Sequence, residues 1–189
     1  KNEIEKKDYV TLSRNYFYFL LADKQFKECI NFYDKKIKKI NFSYKEIKNK
    51  LDVINYQINC LMSDLNWDDS YKAFYNKVDY MEDALKNFEY EKEIEISLHE
   101  ELARSYISIV AGLNITAYSK EEQELKNKYL ARVEEITNEY LLKESKYHYL
   151  IVNKLLVDQY VYRLEIEKAE KNLNASLIQV ENLTAKDGY

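Results

Sequence analysis

The sequence has no proline and very little glycine, which argues against a sheet protein. Its only two glycines are Gly112 and Gly188. A sheet protein of 189 residues would need turns rich in glycine and proline to connect its strands. Long helices joined by short polar loops need neither residue. The sequence therefore predicts an all-α fold.

Cysteine and long apolar segments are also scarce. Cys29 and Cys60 are too few for a disulfide framework, so we expect Cys29 to be a packed free thiol and the location to be cytoplasmic. A secreted or surface location stays open, because the chain starts at Lys1 without a methionine, as a fragment of a longer protein would. No run of about eighteen apolar residues occurs, which predicts no membrane span.

The charge balance argues against a nucleic-acid-binding segment. The net charge is −4, and the most cationic stretch is KKIKKI at residues 35–40. Lysines at this position suit the C-terminal end of a helix, whose dipole favours cations. Binding to DNA or RNA phosphates would need a broader basic face. We therefore expect no nucleic acid to bind through this segment.

The residues that are abundant indicate a folded, packed chain. Hydrophobic residues make up 46% and charged residues 33% of the sequence, which is normal for a domain with a sizeable core. The nineteen tyrosines suit packing between helices, because the ring is apolar and the hydroxyl is polar. They also suit recognition surfaces. No composition shift marks a boundary, so a single domain over residues 1–189 is the expectation.

A thirteen-residue run occurs three times in diverged form. The copies are QFKECINFYDKKI, NWDDSYKAFYNKV and EIEKAEKNLNASL. Each copy begins its stripe with a large residue, and a small residue follows three positions later. A second large residue comes four positions after the small one, and a further apolar residue comes four positions after that. This spacing places a stripe on one helix face, with a small residue where another helix can approach. The stripes are Phe26, Cys29, Tyr33, Ile37; Trp67, Ser70, Phe74, Val78; and Ile166, Ala169, Leu173, Leu177.

The pattern predicts eight helices in four antiparallel pairs. Two capping boxes, Ser43 with Glu46 and Ser119 with Glu122, mark helix starts. The segment 112–116 is the strongest loop signal, because it combines glycine with asparagine and threonine. The expected helices cover about 8–23, 24–40, 43–65, 68–88, 90–113, 119–142, 145–163 and 165–183.

The three runs resemble the second helices of tetratricopeptide repeats. The matching first-helix positions are Tyr16, Leu20, Leu61, Leu156 and Tyr160. The resemblance implies an alpha-solenoid of about four antiparallel helical hairpins. The sequence departs from the family in two respects. Successive runs start 41 and 99 residues apart instead of at the usual interval of about 34 residues, and the terminal proline of the repeat is missing.

Long, proline-free repeats rich in tyrosine and asparagine are similar to those of the peptide-pheromone receptors of Gram-positive bacteria. That resemblance implies that a short peptide lies in the concave face of the array, with asparagines holding its backbone. It also implies that a DNA-binding or effector domain precedes Lys1.

The repeat register predicts which residues line the groove. First-helix residues that do not pack inward face the concave side of such an array. An asparagine amide offers a donor and an acceptor that match an extended peptide, and arginine or lysine can bind a ligand carboxylate. Glu100 and Ser108 accompany the predicted peptide-binding set: Arg14, Asn15, Tyr18, Asn55, Tyr56, Asn59, Arg104, Lys154, Asp158 and Tyr162.

Catalytic and metal-binding motifs are not evident. Glu95 and His99, and likewise Glu144 and His148, are spaced to share a helix face, and helical bundles can build metal sites from such pairs. The usual spacing is Glu-x-x-His, however, and further carboxylates are required. There is no Gly-rich phosphate loop and no interpretable Ser-His-Asp or Cys-His set. We therefore expect no metal, no cofactor and no enzymatic activity.

The leading hypothesis is a binding module for a peptide or protein segment, as the sensor part of a signalling or regulatory protein. One alternative is a structural scaffold that self-associates through tyrosine-rich faces, starting with a homodimer. Another is a surface helical domain that binds a host protein.

Overall fold

The computed structural model describes the backbone of residues 3–116 and 119–187, and this part of the chain is helical without any strand. The all-α prediction is confirmed. The π-helical turn Tyr33–Ile37 extends α2, and Ile136–Leu141 with Leu142–Glu144 extends α6. The helices are α1 (Glu3–Ala22), α2 (Phe26–Phe32), α3 (Ile47–Ser63), α4 (Trp67–Asn87), α5 (Lys92–Thr116), α6 (Lys120–Glu135), α7 (Lys146–Tyr162) and α8 (Ile166–Asp187).

Both predicted capping boxes are present. The Ser43 backbone N–H donates to Glu46 Oε2 at 3.0 Å, before the 3₁₀ turn that leads into α3. At the start of α6, the Ser119 N–H donates to Glu122 Oε2 at 3.0 Å, and the Glu122 N–H donates back to Ser119 Oγ at 3.1 Å. Each box satisfies N–H groups that the first helical turn leaves without a partner.

The loop predicted at residues 112–116 is wrong, because α5 continues to Thr116. Gly112 is buried within the helix, next to the fully buried Ile109 and Val110. The Asn114 side chain donates to Gln159 Oε1 of α7 at 3.0 Å. Packing and this hydrogen bond outweigh the cost of about 1 kcal/mol for a glycine inside a helix.

The chain forms two compact units, residues 1–88 (unit 1) and 89–189 (unit 2). Unit 1 contains α1 to α4, and unit 2 contains α5 to α8. Within each unit the first helix packs on the second and third, the second packs on the third, and the third packs on the fourth. The expectation of one continuous domain remains a prediction.

A disulfide between Cys29 and Cys60 connects α2 to α3 in the core of unit 1. The expectation of a free thiol at Cys29 is therefore wrong. Their Cα atoms are 6.0 Å apart, a normal separation for a disulfide, and both residues are fully buried. The sequence could not show this pairing, because Cys60 comes close to Cys29 only when α3 packs on α2. The surrounding core consists of Val10, Phe17, Leu20, Tyr33, Ile37, Phe42 and Val53.

A buried asparagine connects the last two helices of unit 2. Asn153 of α7 is fully buried, and its Nδ2 donates to the Asn172 carbonyl and to Ser176 Oγ of α8, both at 2.7 Å. A buried amide can be satisfied in few arrangements, so it favours one alignment of the two helices. The apolar residues Tyr149, Val152, Leu156 and Tyr160 of α7 form the adjacent core.

Three helix-to-helix turns have the same backbone geometry. Lys24, Leu65 and Leu164 adopt the left-handed conformation, with φ of 57°, 59° and 60°. In each turn the next residue donates its N–H to the carbonyl five residues earlier, at 2.8, 2.9 and 2.9 Å. This is the Schellman motif, which normally uses glycine. The following helices begin at Phe26, Trp67 and Ile166, the leading residues of the three repeated runs.

The predicted apolar stripe is buried to different extents in the three runs. In α2, Cys29, Tyr33 and Ile37 are buried, since α3 covers them. In the third run only Ala169 is buried, while Leu173 and Leu177 are 51% and 52% exposed. Within the described part of the chain, no helix covers the α8 stripe as α3 covers that of α2.

Candidate functional site

In unit 1, the polar faces of α1 and α3 lie side by side. Arg14 of α1 forms an ion pair with Asp52 of α3, with 3.1 Å between Nη1 and Oδ2. Asp52, Asn55 and Asn59 are spaced three and four residues apart, so they share one face of α3. We call the predicted site residues of this surface the unit 1 face: Arg14, Asn15, Tyr18, Asn55, Tyr56 and Asn59.

The residues of the unit 1 face differ in their exposure. Asn15 and Asn59 are exposed, and the Tyr18 side chain is 70% exposed. Asn55 is half-buried. The Tyr56 ring stacks on Phe17, with 5.6 Å between ring centroids, so it is partly a core residue. A ligand on this surface would meet amides and a tyrosine ring, with Arg14 already engaged by Asp52.

In unit 2, α5 and α7 occupy the corresponding positions. The predicted residues form i,i+4 pairs on their own helices: Arg104 Nη1 with Glu100 Oε1 at 3.0 Å, and Lys154 Nζ with Asp158 Oδ2 at 3.1 Å. Tyr162, near the end of α7, is 62% exposed. We call Arg104, Lys154, Asp158 and Tyr162 the unit 2 face. Lys154 and Asp158 pair within this face, whereas Arg104 pairs with Glu100 outside it. Ser108 Oγ donates to the Arg104 carbonyl at 3.0 Å.

Both histidines belong to a polar cluster between α5, the end of α6 and the start of α7. The His99 ring lies 3.9 Å from that of Tyr140, and Lys92 Nζ lies 5.0 Å from the Tyr140 centroid. Burial raises the pKa of Tyr140, and the Glu95 carboxylate raises it further. Glu95 Oε1 also lies 4.0 Å from His99 Nε2.

Glu144 and His148 do not share a helix face as their spacing indicated, because Glu144 ends the extension of α6 and His148 lies in α7. His148 Nε2 faces Glu100 Oε2 of α5 at 3.5 Å, and Ser145 Oγ lies 2.7 Å from His148 Nδ1. Glu144 pairs with Lys92 instead, at 3.1 Å. Among residues 3–116 and 119–187, no group of three His, Cys, Asp or Glu side chains is arranged to hold a metal ion.

A second charged cluster escaped the sequence analysis. Lys126 of α6 is 6% exposed. Arg163, which follows α7, donates from Nη2 to Asn127 Oδ1 at 2.8 Å and from Nε to Glu165 Oε1 at 2.7 Å. Burial lowers the pKa of Lys126, and the positive charge of Arg163 lowers it further. No motif connects residues 126 and 163, so only the packing of α6 against α7 brings them together.

Large apolar side chains are exposed on α1 and α8. On α1 they follow the spacing three, four, three, as along one side of a helix. The α1 residues are Tyr9, Leu12, Tyr16 and Phe19, between 38% and 67% exposed, and the α8 residues are Ile166, Leu173, Leu177 and Val180, between 43% and 52% exposed. Contiguous exposed apolar surface of this kind marks interaction sites more often than single residues do.

No protein-family model, curated protein or solved structure matches the chain. Among the described residues, no helix is sufficiently long and apolar to cross a membrane.

Proposed function

We propose that this chain is a non-enzymatic binding module that holds a peptide or protein segment against the paired first helices of its hairpins. The observation that carries the proposal is the Arg14–Asp52 ion pair, which joins the polar faces of α1 and α3. Asn15, Asn59 and Tyr18 project from this joint surface into solvent. Amides spaced along adjacent helices can pair with the N–H and C=O groups of an extended chain.

The proposed architecture is a tetratricopeptide-like stack of helical hairpins. Two observations support it. In both units the same pairs of helices, counted in chain order, pack on each other. The turns before α2, α4 and α8 share one backbone geometry, with a left-handed residue in each. In such a stack the first helices of successive hairpins line one side. A signalling or regulatory role would follow if ligand binding changed the curvature of the stack.

The disulfide bears on the proposed location. Buried disulfides persist in oxidising compartments and are rare in the cytosol. The Cys29–Cys60 bond therefore favours a secreted or cell-surface setting over the cytoplasmic expectation, and it favours a protein or peptide partner found there. Intact mass of protein taken from its source cells, with thiols blocked at lysis, measures whether the bond exists in the cell.

The test of the proposed function begins with ligand identification by native mass spectrometry of protein from its source cells. Binding of the co-purified peptide is then measured for Asn55→Ala combined with Asn59→Ala. We expect about a tenfold or greater loss, because each buried peptide hydrogen bond contributes about 1 kcal/mol. The matched control is Asn76→Ala, an exposed asparagine on α4. Equal affinity of the double variant and the control would refute the role of the unit 1 face.

A second candidate function, a self-associating scaffold, is favoured by the exposed apolar side chains of α1 and α8. Burying four such side chains would favour association by several kcal/mol at about 25 cal/mol per Å². Light scattering coupled to size exclusion measures this directly. A mass that rises with concentration in the native protein, but not in Leu173→Glu, would support the scaffold. A constant monomer mass would reject it.

A further inference from the structure

The three helical pairs that share the left-handed turn can be aligned residue by residue. The left-handed residues Lys24, Leu65 and Leu164 occupy the same place, so equivalent positions lie 41 and 140 residues after those of the first pair. The leading residues of the three repeated runs keep the same offsets. This alignment gives each residue of α1 a counterpart in α3 and in α7, and each residue of α2 a counterpart in α8.

One side of α3 covers the helical pair that precedes it. Val53 and Cys60 of α3 are fully buried in a core that they share with α1 and α2, and Cys60 is bonded to α2 through the disulfide. The counterparts in α7 are Val152 and Gln159. Val152 is fully buried, and Gln159 Oε1 accepts a hydrogen bond at 3.0 Å from Asn114 of α5, in the preceding pair. Both first helices therefore turn this side toward the preceding pair, as in a stack of hairpins.

The same side of α1 is exposed instead. Leu12 and Phe19, which are the counterparts of the two α3 residues, are 67% and 58% exposed. On α8, Leu173 and Leu177 are 51% and 52% exposed, whereas their α2 counterparts are buried where α3 covers α2. Helix α1 thus exposes the side that covers a preceding pair, and α8 exposes the stripe that a following first helix covers.

We propose that the chain binds a second copy of itself head to tail, with the exposed side of α1 on the exposed stripe of α8. Both halves of the internal contact between α2 and α3 recur exposed on one chain, so a second copy supplies the surface that covers each of them. The contact is heterologous, because two different surfaces meet. This inference rests on the self-association given as the second candidate function, and it does not depend on peptide binding by the unit 1 face.

The internal contact also sets the orientation of the two copies. A loop connects the end of α2 to the start of α3, and Cys29 near the start of α2 is bonded to Cys60 near the end of α3. These two helices are therefore antiparallel. In the contact between copies, Phe19 should accordingly lie toward the start of α8, and Leu12 should lie toward Leu177.

One position limits the strength of the contact. The exposed Glu170 of α8 occupies the place of Ile30 in α2, which packs against the apolar cores of unit 1. The contact between copies lacks this apolar packing, and the carboxylate has to stay solvated at its rim. We therefore expect a dissociation constant between about 1 µM and about 1 mM, as in transient interfaces.

Variants that block one end each test the arrangement by sedimentation equilibrium. Leu12→Glu with Phe19→Glu blocks α1, and Leu173→Glu with Leu177→Glu blocks α8. Each double variant alone should self-associate about thirtyfold or more weakly, because charges replace apolar side chains at the centre of the contact. An equimolar mixture should form a 1:1 dimer, because each variant keeps the end that the other lacks. The matched control, Val161→Glu at a 51% exposed position of α7, should associate like the native protein.

A cross-link tests the orientation and decides the question if a glutamate variant folds poorly. Leu12→Cys and Leu177→Cys are made in separate chains, and each added cysteine is the only free thiol, since the two native cysteines are bonded to each other. Mild oxidation of the mixture should give the mixed disulfide in excess over both homodimers. Phe19→Cys mixed with Leu177→Cys should show no such excess.

Different results would overturn the head-to-tail contact. A constant monomer mass up to about 1 mM would reject it together with the scaffold function. If the α1-blocked variant associates as the native protein does, or if the mixture of blocked variants stays monomeric, self-association remains but its contact is symmetric. Equal yields of mixed disulfide from Leu12→Cys and from Phe19→Cys would refute the derivation from the α2–α3 contact.

Discussion

Breaking the Cys29–Cys60 disulfide should strongly destabilise unit 1. The bond spans a sequence separation of 31 residues. In the chain-entropy treatment, a cross-link over a loop of this length removes about 12 cal/mol/K from the unfolded chain, or about 3.7 kcal/mol at 25 °C. We expect the combined change Cys29→Ala and Cys60→Ala, or complete reduction, to lower the free energy of unfolding of unit 1 by about this amount.

Urea unfolding followed by tryptophan fluorescence suits this prediction. Trp67 is the only tryptophan, and it lies at the start of α4 within unit 1. With a urea dependence of about 2 kcal/mol per molar, the midpoint should fall by about 2 M. The double alanine variant is the control, because a reductant should not change its midpoint. A wild-type midpoint that ignores the reductant, together with native cysteines that react with iodoacetamide, would refute the reasoning.

Three further perturbations test the turns, the buried amide and the pH dependence. Leu65→Gly and Leu164→Gly should each raise the free energy of unfolding by about 1 kcal/mol in urea titrations, because both leucines hold a positive φ that glycine adopts without strain. Asn153→Ala should cost about 2 kcal/mol, since it leaves its partners on α8 unbonded, whereas exposed Asn174→Ala should be neutral. Hydrogen bonding from a lysine lowers the pKa of Glu165 below 4.5, so its stabilisation is lost as the pH falls below that value, and Glu165→Gln should flatten the stability curve there.

Each of these three predictions would be contradicted by a specific result. Loss of stability in both glycine variants would mean that the turns tolerate leucine without strain. Equal effects of Asn153→Ala and Asn174→Ala would mean that the buried hydrogen bonds are replaced by others. An unchanged acid limb in Glu165→Gln, measured by thermal unfolding between about pH 3 and 6, would show that this carboxylate does not control acid stability.

Most of the helices could be predicted from local signals, and each failure has an identifiable physical cause. The two serine capping boxes marked helix starts correctly, because each depends only on residues three apart. Gly112 misled the prediction, since glycine favours loops in isolation and the burial of α5 outweighs that preference. The left-handed Leu65 and Leu164 gave no signal, because that conformation normally selects glycine or asparagine.

For the candidate site, the sequence could predict which side chains are exposed, because the helix period decides this, but it could not predict the contacts between helices. Asn15, Asn59 and Tyr18 are exposed, as their places opposite the apolar stripes indicate. The period did not reveal that Arg14 pairs with Asp52, or that Tyr56 stacks on Phe17. Those contacts depend on how α1 lies against α3. Their consequences for binding remain predictions.

By itself the sequence determined the helical class, the helix count and the position of the repeated run, because these follow from composition, capping and periodicity along a continuous stretch of chain. Only the tertiary structure decided which distant residues meet. It paired Cys29 with Cys60, and it placed Arg163 against Asn127. Such pairs come from helix packing, which brings together residues 31 and 36 positions apart that no local pattern relates.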